Sequence, residues 1–183
     1  MLKAGAIAVA LLAAVQAALG LPVAVAAAER DFEYQLKAEF VERFTRFVDW
    51  PESASGERDE GPFVIGVMGD SPIAAQLAQI VAQRKIKGRE GRLLQVTDLE
   101  QVTQCDLLFI AASAADQLAA ILSRTENQAI LTVADSEGFG GRGVLINLYR
   151  EGEYLRFEIN RSAVEKSGLR FSSNLLRLAR LVE

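Results

Sequence analysis

The chain contains no histidine. That absence removes Ser-His-Asp and Cys-His catalysis, imidazole ligation of a metal and a histidine pH switch from the functions open to it. Cysteine occurs once, at Cys105, which excludes an intramolecular disulfide and a cysteine-rich zinc site. Cations are in the minority, 20 Lys and Arg against 24 Asp and Glu, for a net charge of −4. A duplex-binding module carries the opposite balance, so nucleic acid is not expected as a partner. Beyond the N-terminal region no apolar stretch approaches the length of a membrane span.

What is present is 183 residues, half of them hydrophobic and about a quarter charged, the composition and size of one globular domain. Its first 28 residues are of another kind. Met1-Leu2-Lys3 is a short positive start, Ala4 to Leu19 is an apolar run, and Gly20 and Pro22 break it. Small residues follow, with A-x-A sites ending at Ala26 or Ala28, then charged Glu29-Arg30-Asp31. This order is that of a secretory signal peptide over residues 1–28, leaving 29–183 as a single exported domain. An uncleaved anchor is the other reading, because Ala4 to Ala28 could cross roughly 30 Å of hydrocarbon.

From Asp31 to Trp50, Leu36, Phe40, Phe44, Phe47 and Val48 recur at helical spacing, and Trp50-Pro51 predicts the helix end. The segment 52–61 reads as a polar surface loop. Phe63 to Val67, Leu93 to Val96, Leu107 to Ile110 and Ile130 to Val133 are short apolar runs expected as strands. Helices are expected between them at about Ile73 to Gln83, with Ser71 capping and Pro72 first, and at Ser113 to Arg124. Strands alternating with helices imply an α/β fold, a parallel-type sheet with helices on both faces. Val144 to Tyr149 and Tyr154 to Ile159 then flank a turn as a C-terminal β-hairpin, with Leu155, Phe157 and Ile159 on one face and Tyr154, Arg156 and Glu158 on the other. Two helices close the chain: one capped by Asn160 or Ser162 and stopped at Gly168, the other running from Ser172 or Ser173 through Leu181 and Val182.

Chemistry-bearing residues are sparse. Gly66-Val67-Met68-Gly69 lies between a strand and a helix, but the third glycine of a dinucleotide fingerprint is missing, so a tight turn is the better reading. The Gly138 to Gly143 loop lacks the Lys-Ser/Thr pair of a phosphate-binding loop and reads as mobile or bulged. Carboxylate pairs at Asp98/Glu100, Asp135/Glu137 and Glu151/Glu153 could serve glycoside hydrolysis, yet each sits in a polar turn. Cys105 is expected as a buried thiol, with an interchain disulfide second. Arg84 to Arg92 holds five cations, read as a helix end and solvated loop, or else as a patch for an anionic partner. Glu158, between Arg156 and Asn160, is a candidate for a specific polar contact or for arginine pairing within the fold. No catalytic residue, metal site or cofactor is expected, so a binding module outweighs an enzyme.

The order of motifs is similar to a known family. Lys37-Ala38 with Phe40, Phe44, Phe47 and Trp50-Pro51, then Ile65-Gly66-Val67 with Gly69-Asp70 and Pro72, resembles the opening of the YfiR/HmsC family of periplasmic regulators. Cys105 to Ile110, Leu131-Thr132-Val133 with Asp135, Gly138 and Phe139, Arg156 to Asn160, Gly168-Leu169, Ser172-Ser173, Leu175-Leu176 and Leu178-Ala179 continue it. The resemblance implies a Rossmann-like mixed sheet in a periplasmic protein. It further implies binding to the periplasmic sensor region of an inner-membrane diguanylate cyclase, which is held inactive, lowering cyclic di-GMP and biofilm formation. Homodimers and an outer-membrane lipoprotein that relieves repression are implied as further partners. Some relatives carry two internal disulfides, whereas this chain has only Cys105.

Partner contacts are expected near the hairpin and the helix after it, at Glu158, Ile159 and Leu169, although Ile159 shares its face with Leu155 and Phe157 and could be core. The alternative function is a small-molecule sensor whose ligand sits at the carboxyl ends of the parallel strands, near Gly69, Asp70, Ser113 and Asp135.

Overall fold

The computed structural model describes residues 26–51 and 61–183. The expected signal peptide falls almost wholly on residues 1–25, and the expected surface loop on 52–60, both outside the described residues.

The first helix, α1, runs over 26–45. Ala38, Val41 and Phe44 are its buried stripe, and Phe44 meets Phe157 with ring centroids 5.1 Å apart. The helix ends earlier than the apolar spacing predicts. Arg46 and Phe47 tighten into i+3 hydrogen bonds, and Val48–Asp49 becomes a short strand, β1, paired antiparallel with Arg170–Phe171, β8. Phe47 and Val48 therefore belong to a turn and a strand. The proline at 51 forbids helical geometry only at Trp50; pairing with β8 decides the residues before it.

The remaining strands form one sheet: β2 (Phe63–Met68), β3 (Gly91–Val96), β4 (Leu107–Ile110), β5 (Leu131–Ala134), β6 (Ile146–Glu151), β7 (Tyr154–Asn160) and β9 (Arg180–Val182). Their order is β3-β2-β4-β5-β6-β7-β9. The first five in that order are mutually parallel; β7 returns antiparallel to β6, and β9 lies parallel to β7. The fold is thus α/β with a mixed sheet, as expected. The hairpin turn is tighter than the sequence reading, because Glu151 pairs with Tyr154 and only Gly152-Glu153 turn the chain.

Alternate strand residues divide between two cores, as a pleated strand buried on both faces requires. Phe63, Ile65, Val67, Leu107, Phe109, Leu131 and Val133 pack with α1 and with α2 (Ile73–Gln83). Val64, Met68, Leu108, Ile110 and Ala134 pack with Val102, Ala114 and α3 (Leu118–Thr125). Each of the large side chains buried in this way contributes about 1.5–3 kcal/mol. The helix expected from Ser113 begins as a 3-10 segment, Ala112–Gln117, before it widens into α3.

At the C-terminus Asn160 caps α4 (Arg161–Ser167) by accepting from the Ala163 amide, and Gly168 ends it in the left-handed conformation. Ser172 caps the last helix, α5, but this helix spans only Ser173–Leu178. The expected helical continuation through Leu181 and Val182 is instead the edge strand β9, because pairing with β7 captures those residues.

Candidate functional site

Three regions bear on function: the carboxyl ends of the parallel strands, a polar cluster under the hairpin, and apolar side chains left uncovered at the two ends of the chain.

The chain leaves β2 for β3 on one side and crosses back to β4 on the other, so the switch point where such sheets bind ligands lies between the ends of β2 and β4. Gly69, Asp70 and Ser113 meet there. The Asp70 amide donates to Ser113 Oγ at 2.7 Å, and the hydroxyl donates back to the Asp70 carbonyl at 3.2 Å. Gly69 holds φ at +88°, and a Cβ on it would lie 2.6 Å from Ser113 Oγ. The glycine is needed for this contact, which joins the two strand ends at the surface, with Asp70 and Ser113 both exposed. Asp135, the fourth residue expected there, follows β5 and is engaged elsewhere: Lys37 Nζ on α1 lies 2.7 Å from its carboxylate and 2.7 Å from Glu33.

The Lys37 and Asp135 side chains are 9% and 8% exposed. Burial pulls the ammonium pKa down, but hydrogen bonds to Asp135 and Glu33 and their negative charges outweigh it, leaving Lys37 above the usual lysine value. The hydrogen bond from Lys37 holds Glu33 below the usual glutamate range, with help from Arg150 and against partial burial.

Under the hairpin, Glu158 lies opposite Asn147 in the β6–β7 register. Asn147 Nδ2 donates to Glu158 Oε1 at 3.0 Å and to the Ser136 carbonyl at 2.9 Å. Arg180, opposite Glu158 on β9, grips Oε2 through Nε at 3.1 Å and through its second nitrogen. That hydrogen bond raises the Arg180 pKa further above its ordinary value. The guanidinium stacks 4.1 Å from the centroid of the Tyr149 ring. Gly140 lies against the same carboxylate, where a Cβ would approach Oε1 to 2.4 Å. Asn160 Nδ2 donates to the Gly140 carbonyl at 2.8 Å. The 138–143 segment, expected as mobile or bulged, is a run of hydrogen-bonded turns with the buried Phe139 ring beneath it.

All three residues expected to touch a partner are inside the fold. Glu158 is buried, Ile159 is 0% exposed and Leu169 is 4% exposed. Ile159 packs with Phe157 and the α1 stripe, its core alternative. Neither Ile159 nor Leu169 presents side-chain surface in this conformation, and Glu158 reaches outward only through Arg180.

The surface offers other apolar groups. Phe32 and Leu36 continue the Phe40–Phe44 stripe of α1 at four-residue spacing and are 67% and 38% exposed. Leu178 and Leu181 are exposed around β9, and Tyr154 at the hairpin tip. Sequence reading placed Leu36 in the core stripe because spacing cannot tell where a helix outruns the sheet beneath it. It missed Asn147 and Arg180 as partners of Glu158. Asn147 is detectable once the two-residue turn fixes the hairpin register; Arg180 is not, since its strand was read as helix.

The other candidates are absorbed by structure. Cys105 is buried, with its thiol donating to the Gln101 carbonyl at 3.7 Å and so close to Gly66 that a Cβ there would come within 2.4 Å of sulfur. Gly66 thus makes room for a thiol and not for a phosphate. Most of the basic run is paired within the fold: Arg84 binds Glu39, Lys87 reaches Asp49 and Arg89 reaches Asp106, while Lys85 pairs with Glu90 at the exposed surface and Arg92 is exposed. Asp98 caps the 3-10 segment Leu99–Gln104, and Glu151 pairs with Arg156. Among the described residues no cluster of metal-ligating side chains occurs, and no helix is long and apolar enough to cross a membrane.

Among curated proteins none matches this sequence. Among solved structures, the fold is similar to that of a conserved domain protein from Vibrio cholerae O1 biovar El Tor, with a TM-score of 0.54 and 13% identity over 82% of this chain and 60% of that one. An ABC domain from Streptococcus pneumonia in complex with L-Trp aligns with a TM-score of 0.49 and 9% identity over 78% of this chain and 62% of that one. The chain therefore spans about three-fifths of the length of each. The first likeness supports the α/β fold alone. A family model described as YfiR/HmsC-like matches residues 34–180, from within α1 to the start of β9 and through every element of the two cores described above. The chain belongs to the YfiR/HmsC-like family.

Proposed function

We propose that this protein is a periplasmic repressor that binds the sensor region of an inner-membrane diguanylate cyclase and holds that enzyme inactive, lowering cyclic di-GMP and biofilm formation. The observation that carries the reading is the family match over residues 34–180, which makes the protein regulatory in kind. The uncovered apolar groups support binding by surface complementarity: a monomer gains nothing from exposing Phe32 and Leu36 on a stripe that is otherwise core. Export by cleavage after Ala26 or Ala28, homodimer formation and relief of repression by an outer-membrane lipoprotein are parts of the same proposal. Glu158, Ile159 and Leu169 then act by holding the hairpin, β9 and the α4 exit in place, so that a partner reads their neighbours.

The alternative is a small-molecule sensor with its ligand at the strand ends, where exposed Asp70 and Ser113 are hydrogen-bonded to each other and Asp135 is held by Lys37. Deleting the gene should raise cyclic di-GMP, and the purified protein should retain a membrane cyclase from envelope extracts. Unchanged cyclic di-GMP in cells with the retained cyclase intact would overturn the proposal.

A further inference from the structure

A cavity of about 450 Å³ opens between the end of α3, the turn at residues 141–143 and α4, away from the strand-end crevice. Leu122, Ile130 and Leu145 give it a hydrocarbon patch beside the buried polar Thr132 and Asn160, whose side chains are already hydrogen-bonded within the fold, and exposed Arg142, Lys166 and Glu126 also line it. Arg142 has no carboxylate partner among the described residues; its guanidinium is held 5.3 Å from the centroid of the buried Phe139 ring. Lys166 has no ion-pair partner there either, although the chain pairs many of its other cations.

We propose that this cavity binds a small amphipathic monocarboxylate, with its head drawn to Arg142 and Lys166 and its hydrocarbon on the leucine and isoleucine patch. The volume lies within the range of small-molecule sites, roughly 300–1,000 Å³, and is too small for a protein segment of any length. Two cations against one carboxylate leave a single positive charge, which suits a monoanion. A phosphate dianion would face Glu126 and leave the hydrocarbon patch unused. An occupant would bridge the turn and α4, which already meet at Asn160: its amide nitrogen donates to the Gly140 carbonyl, and its oxygen accepts from Ala163. Occupancy would tighten the element that backs Glu158. The inference does not depend on the identity of any protein partner.

The test is calorimetric titration of the purified protein with 3-phenylpropionate and hexanoate, with 3-phenylpropanamide and inorganic phosphate as controls. Saturable binding of either acid is expected, with the amide at least tenfold weaker and phosphate unable to compete. Replacing both cations, Arg142→Gln with Lys166→Gln, should weaken the acids at least tenfold while the protein stays folded, with a ligand-free melting temperature lowered by only the few degrees that loss of the Arg142–Phe139 contact and of the Lys166 charge at the end of α4 accounts for. Glu126→Gln, at an exposed position, should tighten them a few-fold. Absence of saturable binding up to about 5 mM, well past the millimolar affinity of a few matched contacts, overturns the proposal. So do an amide that binds as tightly as its acid, equal competition by phosphate, and a Glu126→Gln protein that binds no more tightly.

Discussion

Lys37 and Asp135 stand 98 residues apart in sequence and 2.7 Å apart in space, the ammonium of the first helix closing on a carboxylate at the end of β5. The pair ties α1, which carries the exposed Phe32 and Leu36, to the centre of the sheet. Replacing Lys37 with Met leaves Asp135 buried without its counter-charge. The expected cost is about 3 kcal/mol, since breaking a buried pair from one side exposes the remaining charge to an apolar surround. Equilibrium denaturation in urea reads it; a loss below about 0.5 kcal/mol, the size of a solvent-exposed pair, would contradict the burial argument.

The same cluster sets a pH window. Glu33 is held below its ordinary pKa, so its contribution is complete above that ordinary value and is lost as pH falls through the lowered one. Lys37 is held above its ordinary pKa, so its contribution is complete below that value and is lost as pH rises through the raised one. Melting temperature should therefore fall at both extremes. Glu33→Gln should flatten part of the acid limb below about pH 4 and leave the alkaline limb in place. An acid limb identical in the variant would show that other carboxylates govern it.

Gly66 and Cys105 should be energetically coupled. Gly66→Ala drives a methyl group into the sulfur and against Leu108 and Val96, a form of overpacking that costs about 1–3 kcal/mol. Removing the sulfur with Cys105→Ala should return part of that cost, giving a coupling of about 1 kcal/mol in a double-mutant cycle. Strict additivity would mean that Leu108 and Val96 set the limit.

Gly140→Ala should dislodge the Glu158 carboxylate, because the added methyl group occupies the place of Oε1. The expected loss is about 2 kcal/mol, as a buried carboxylate loses its fit to Asn147 and Arg180. Faster amide exchange confined to β7, β9 and the 138–143 turns would locate the effect; exchange unchanged there would place it elsewhere.

Phe32→Asp should leave stability within about 0.5 kcal/mol, because that side chain faces solvent, whereas adding Leu36→Asp, at a residue only 38% exposed, should cost about 1 kcal/mol more. Retention of the membrane partner should fall at least tenfold if these groups belong to its interface. Equal retention by the variant would move the interface to another surface.

Much of the fold follows from local pattern. The apolar run Leu107–Ile110 is the strand the sequence predicts, and Asn160 and Gly168 bound α4, because propensity, capping and period 2 are properties of neighbouring residues. The helix at Ile73 lies where the sequence places it, but Pro72 holds the N-cap position expected for Ser71 and supplies no side-chain cap. Family membership is equally a property of the sequence, carried by the order of motifs along the chain. Tertiary structure alone decided that Val48–Asp49 and Arg180–Val182 are strands, since short edge segments take their conformation from the strand they pair with. It also decided that Glu158 is spent on Asn147 and Arg180, that Asp135 belongs to Lys37, and that Phe32 and Leu36 outrun the core. Pairing of distant charges and the limits of a buried face depend on how elements meet in space, which no window along the chain contains.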